Sequence, residues 1–153
     1  MSEELTAAIH LGDDDIPWVD LPDGSGLKLV YAKIKEGLWI IRNRFKPGFG
    51  VGTHKHTGPV FGYTSTGAWK YEEYEYVNRA GSFLYEPAGS VHTLITLPEN
   101  TEDTDVWFQI YGANLNLNPD GSIESVVDAQ LISDAYFALC EMQGLPRPNV
   151  VTD

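Results

Sequence analysis

Of the four histidines in the chain, two stand as His54-Lys55-His56. On a β-strand successive side chains alternate between faces, so this spacing turns both imidazoles the same way. Two nitrogen donors from one strand begin a metal site; His92, standing alone, reads by itself as a satisfied core histidine. It follows Pro87-Ala88-Gly89, where proline fixes φ and glycine allows the tight corner that aims a returning strand at the pair. Carboxylates are offered by Trp69-Lys70-Tyr71-Glu72-Glu73-Tyr74-Glu75-Tyr76. Strand alternation through this run puts Glu73 on the face of Trp69 and Tyr71, making Glu73 the candidate fourth ligand or hydrogen-bonding neighbour of a metal; a solvated, charged edge strand is the competing reading. Phe61 and Tyr63 share one strand face, and Trp107 and Gln109 share another. Turned inward they would wall a substrate pocket with aromatic rings and an amide donor; turned outward or packed in the core they are ordinary sheet residues.

The elements that must hold these groups are short strands. After Gly26 the chain runs through apolar or alternating segments closed by glycine, proline or asparagine: 27–32, 38–45, 60–66, 68–77, 82–85, 92–97, 106–111, 114–117 and 123–127. Such spacing predicts an all-β sandwich or barrel. Asn118-Pro119-Asp120-Gly121 is a turn between two of these strands. Residues 128–144 change to a helical period, with Leu131, Ile132, Ala135, Leu139 and Met142 on one side, Asp128 as N-cap, and Gly144 with Pro146 as the stop. The division is an N-terminal arm at 1–26, a β-barrel at 27–127, a C-terminal helix at 128–144 and a tail at 145–153. The arm and the helix are natural elements for exchange across a homodimer or higher homo-oligomer.

At 153 residues the chain is long enough for one core and too short for two ordinary domains. A net charge of −12 disfavours phosphate backbones and anionic bilayers, so neither nucleic acid nor membrane is an expected partner. The single cysteine, Cys140, cannot close an intrachain disulfide and reads as a small buried filler. The start, Met1-Ser2-Glu3-Glu4-Leu5, is acidic where a signal peptide is basic. A cytoplasmic location is the expectation.

Two blocks carry a family resemblance. The first is Gly48, five residues, His54, one residue, His56 and a later Gly67; the second is Gly81, five residues, Pro87-Ala88-Gly89, two residues and His92. They resemble the paired signatures of the cupin superfamily, G-x5-H-x-H-x3–4-E-x6-G and G-x5-P-x-G-x2-H-x3-N. Two positions depart from the pattern: Val60 or Phe61 stands where the first motif has glutamate, and Thr96 where the second has asparagine. The run from His54 to Tyr63, with Gly67-Ala68-Trp69-Lys70-Tyr71, Ala80-Gly81-Ser82-Phe83 and Glu86-Pro87, is similar to the 2,4′-dihydroxyacetophenone dioxygenases and, more distantly, to the acetylacetone-cleaving dioxygenases.

The resemblance implies a single-domain jelly-roll barrel with one divalent metal held by His54, His56 and His92. Iron(II) is the metal it favours, although imidazoles also suit zinc, nickel and copper. Three neutral histidines leave the ion its full +2 charge, which an enolate ligand would neutralise. The implied activity is a dioxygenase that cleaves a carbon–carbon bond in a small enolisable ketone, a β-diketone or α-hydroxyketone, with dioxygen as co-substrate. The alternatives are a non-catalytic zinc- or ligand-binding cupin sensor and a metal-dependent isomerase or hydrolase.

Overall fold

Burial alternates strictly along Thr104–Tyr111: Thr104, Val106, Phe108 and Ile110 are buried, while Asp105, Trp107, Gln109 and Tyr111 are half-exposed. One apolar and one polar face per strand is what a sheet covered on one side requires. The computed structural model describes residues 6–153 and builds thirteen strands and one α-helix, with two short 3-10 turns. In chain order the strands are β1 (Val19–Asp20), β2 (Gly26–Lys33), β3 (Leu38–Phe45), β4 (Gly50–His56), β5 (Val60–Thr66), β6 (Ala68–Tyr71) and β7 (Asn78–Arg79). They continue as β8 (Phe83–Glu86), β9 (Val91–Thr96), β10 (Thr104–Tyr111), β11 (Asn114–Leu117), β12 (Ile123–Val127) and, after α1 (Ala129–Met142), β13 (Val151–Thr152).

Two sheets close as a jelly roll. One has the order β1-β2-β3-β10-β5-β8, with β13 added in parallel to β2; the other has the order β12-β11-β4-β9-β6-β7. Trp39, Ile41, Phe45, Val60, Trp69, Leu84, Leu94 and Phe108 belong to the buried core. Four of the seven residues of β4, the strand that carries the histidine pair, are not apolar enough to announce it as a strand, yet it pairs with β9 and β11.

Three expectations change in detail. The segment 68–77 is not one strand: β6 stops at Tyr71, Tyr74 N–H donates to the Tyr71 carbonyl, and a turn follows. The tail at 145–153, for which the sequence predicts no element, supplies β13. In α1 the buried face is Ala129, Ser133, Tyr136 and Cys140, whereas Leu131 and Met142 are exposed. Tyr136 rotates the helix from the expected stripe, because its ring is fully buried and its hydroxyl donates to the Pro17 carbonyl. Asp128 caps the helix through Leu131 N–H, 2.9 Å away.

β1, at the end of the arm, packs on β2, and α1 packs on β1 and β2. Trp18 is held among the cations of Arg44, Lys28 and Arg42, at 4.4, 5.0 and 5.2 Å from a ring centroid. The Lys28 ammonium is buried and donates to the Asp13 carbonyl and carboxylate at 2.7 and 3.1 Å, the pairing that a buried charge needs. Residues 1–5, including the acidic start, lie outside the described residues. No helix among the described residues is long and apolar enough to cross a membrane.

Candidate metal centre

His54 and His56 leave β4 on one face, and His92 stands directly across from His54 on β9. A register shift between Val51 and His54 precedes the pair, and Gly89, at φ 85°, makes the turn that leads into β9. The three rings are buried and converge, with centroids 4.9 Å (His54 to His56), 4.9 Å (His54 to His92) and 5.1 Å (His56 to His92) apart. One nitrogen of each lies within 4.8 Å of the others, the arrangement a single ion needs.

Neighbours hold two of the rings. His54 Nδ1 lies 3.0 Å from the Gly52 carbonyl, so an N–H there leaves Nε2 as the free donor. Burial pushes the His54 imidazolium down to about 4, against a smaller opposing effect of the Gly52 carbonyl, so the ring is neutral at pH 7 and able to offer its nitrogen to a metal. Tyr71 stacks on His92 at 3.7 Å between centroids and 12° between planes. Thr96, in place of the motif's asparagine, ties the loop between β3 and β4 by donating to the Lys46 carbonyl and accepting from Phe49 N–H.

The carboxylate at the cluster is Glu86, which the sequence reading did not select. Its Oε1 lies 2.6 Å from His92 Nε2 and 3.3 Å from His56 Nε2, and it accepts a hydrogen bond from Tyr71 Oη at 2.7 Å. His92 Nε2 has no hydrogen-bond partner of acceptable direction despite the short distance. Two ligand atoms that aim at a common third point look like this, whereas a donor and its acceptor aim at each other. Neighbouring ligands at right angles around an ion with bonds of about 2.1 Å are about 3.0 Å apart, between the two observed distances. Burial raises the Glu86 carboxyl, but the adjoining imidazoles of His56 and His92 outweigh it and hold the group at about 2. The orphaned buried Nε2 of His92, beside Glu86 Oε1, fits a bound cation better than an apolar core.

Glu73 does not join this group. Because β6 ends at Tyr71, strand alternation fails beyond it, and the exposed Glu73 carboxylate accepts from Thr93 N–H at 2.9 Å. Along the chain Glu86 is marked only by its place immediately before Pro87 of the second motif; its pairing with Val60, one of the two positions open to the first motif's glutamate, exists only in the sheet.

Beside the rings lies a cavity of about 100 Å³ lined by Trp39, Ile41, Asn43, Phe45, Val51, His54, His56, Tyr71, Leu94, Phe108, Ile110 and Asn114. The expected wall is on the other side of the sheet. Val60, Gly62 and Thr64 take the inward parity of β5, which leaves Phe61 and Tyr63 outside, beside Tyr85 and Phe83 of β8. Trp107 and Gln109 likewise face outward from β10, where they pair with Tyr63 and Phe61. Trp107 lines a separate hollow of about 370 Å³ beneath the arm.

A family model described as the ChrR cupin-like domain matches residues 6–109, a span that includes His54, His56, Glu86 and His92. The chain belongs to the ChrR cupin-like family. No curated protein matches it in sequence. Two solved structures from Ralstonia eutropha JMP134 share the cupin fold along nearly the whole length. An RmlC-like cupin is 27% identical with a TM-score of 0.90, covering 99% of each chain. A cupin-like protein of unknown function is 29% identical with a TM-score of 0.87, covering 94% of this chain and 91% of the other. The fold is also that of an acetylacetone dioxygenase from Acinetobacter johnsonii, at 16% identity and a TM-score of 0.76, covering 87% of this chain and 92% of the other.

Proposed function

We propose that this cupin is a metal-dependent dioxygenase that cleaves a carbon–carbon bond in a small enolisable ketone. The observation that carries the reading is three buried imidazoles converging beside a cavity. The fold shared with an acetylacetone dioxygenase supports it. His54, His56 and His92 hold one divalent ion, iron(II) in this reading, and Glu86 Oε1 supplies the fourth protein ligand. Glu86 revises the charge argument: the ion and one carboxylate leave +1, which a single enolate brings to zero.

A divalent ion bound there supplies Lewis acidity toward a ketone oxygen and, if it is iron, a binding place for dioxygen. The chain's residues do the rest. Tyr71 orients Glu86 through its hydroxyl and His92 through its ring. Trp39, Ile41, Phe45, Leu94, Phe108 and Ile110 wall the cavity with apolar surface and keep bulk water from the reacting carbon. The protein works in the cytoplasm in this reading, as a homo-oligomer; the exposed rings of Tyr63, Phe83 and Tyr85 near the end of one sheet offer a face for a second copy.

Purified protein is expected to carry about one equivalent of iron and to consume dioxygen when given acetylacetone or 2-hydroxyacetophenone. His92→Ala is expected to lose the metal and retain the β-sheet circular dichroism spectrum. Unchanged metal content in that variant would exclude the site. Tightly held zinc without oxygen uptake would instead support a second reading, a non-enzymatic metal- or ligand-sensing cupin, which the family's ChrR relationship favours.

A further inference from the structure

Inside the barrel two side chains do not match their surroundings. Asn43 pairs across β3 with Val106 of β10 and Leu27 of β2, both buried, so its carboxamide faces the interior. Asn114, the first residue of β11, stands directly across from His56 of β4 and so shares its face. Both line the cavity beside the histidines. Asn114 Oδ1 is buried without a hydrogen-bond partner, and its Nδ2 reaches only Asn116 Oδ1, at 3.5 Å.

The other polar groups around the cavity are committed. Trp39 Nε1 donates to the Gly112 carbonyl, and Tyr71 donates to Glu86. The remaining wall is apolar apart from the histidines, and it includes no lysine or arginine. An amide kept among hydrocarbon without a partner is destabilising, so these positions favour apolar residues unless a ligand uses them. The carbonyl oxygen of Asn114 wants a donor, and an uncharged one suits an apolar wall that includes no carboxylate to pair with a cation.

We propose that Asn114, assisted by Asn43, selects ketones that carry a neutral hydrogen-bond donor, a hydroxyl or an amide N–H, beyond the oxygens facing the metal ligands. The inference rests on the metal-site reading above and deepens it by naming a specificity determinant. A cavity built to bond a substrate N–H or O–H discriminates against the analogue that lacks it, because the protein's own group is then left unpaired.

Acetylacetone and acetoacetamide test this as a near-isosteric pair, differing by a methyl against an amino group next to a carbonyl. Their binding is measured by calorimetry on the zinc-loaded protein, in which no oxygen chemistry interferes. The ratio of acetoacetamide to acetylacetone affinity is expected to fall about tenfold in Asn114→Leu, and to fall by a smaller factor in Asn43→Leu, with zinc content unchanged in both. A ratio unchanged within about twofold in both zinc-loaded variants overturns the inference and leaves the metal site intact. Wild-type protein that takes up no zinc overturns the metal-site reading itself, and the selectivity with it. Asn43→Leu puts an apolar side chain of similar size into an apolar wall, so the test survives if Asn114→Leu fails to fold.

Discussion

Val60 and Glu86 face each other across β5 and β8, and between them they account for the main departure from the cupin pattern. The first motif's carboxylate position holds valine, and the residue directly opposite in the sheet holds glutamate. Directly paired residues share a face, so a carboxylate can move one strand sideways and still reach the same histidine cluster. Glu86→Val is expected to weaken metal binding by about tenfold to a hundredfold, read by competition with a chelator. Adding Val60→Glu to that variant returns a carboxylate to the same face and is expected to recover part of the loss. A double variant no better than Glu86→Val would show that the carboxylate's place in the sheet, and not only its presence, matters.

Elements position the site through their ends and turns more than through their lengths. Gly67 joins β5 to β6 at φ 80°, and a Cβ there would lie 2.6 Å from the Thr104 Cα of β10. Backbone cannot yield as a flexible side chain can, so both conformation and contact oppose any larger residue. Gly67→Ala is expected to destabilise the fold by about 3 kcal/mol or more, seen as a lower midpoint in urea. A change below about 1 kcal/mol would mean that β10 shifts to make room. The same logic of ends explains Glu73: a strand that stops at Tyr71 leaves Glu73 in a turn, where its carboxylate accepts from Thr93 N–H beside His92 instead of facing the histidine cluster.

At the scale of the whole molecule, the scaffold separates the site from the surface that supports it. The arm is fastened on β2 and β3 by Trp18 among Lys28, Arg42 and Arg44, and by Asp13, which pairs with both Lys28 and Arg42. The Arg42 guanidinium also holds Asp105 of β10 through Nε and Nη2, at 2.8 and 2.6 Å. None of these groups touches the histidine cluster. Trp18→Ala is expected to open the arm to limited proteolysis within residues 6–20 while metal content stays at the wild-type value. Loss of metal in that variant would show that the arm braces the centre as well as the sheet.

The sequence alone picked out the three histidines that cluster, two because their spacing puts them on one strand face and the third because it follows a glycine and proline frame that resembles the second cupin motif. It determined the all-β class, because alternation and turn residues are local properties of the chain. The inward parity of β5 was not legible: Val60 and Phe61 are both apolar, and only pairing with β8 and β10 decides which one faces the core. Phe61, Tyr63, Trp107 and Gln109 therefore lie outside. Glu86 was not legible as a neighbour of His92 for the same reason, since the contact is made across the interior by strands of two different sheets. Spacing along a chain fixes which side chains share a face, but which faces meet is settled only when the sheets close.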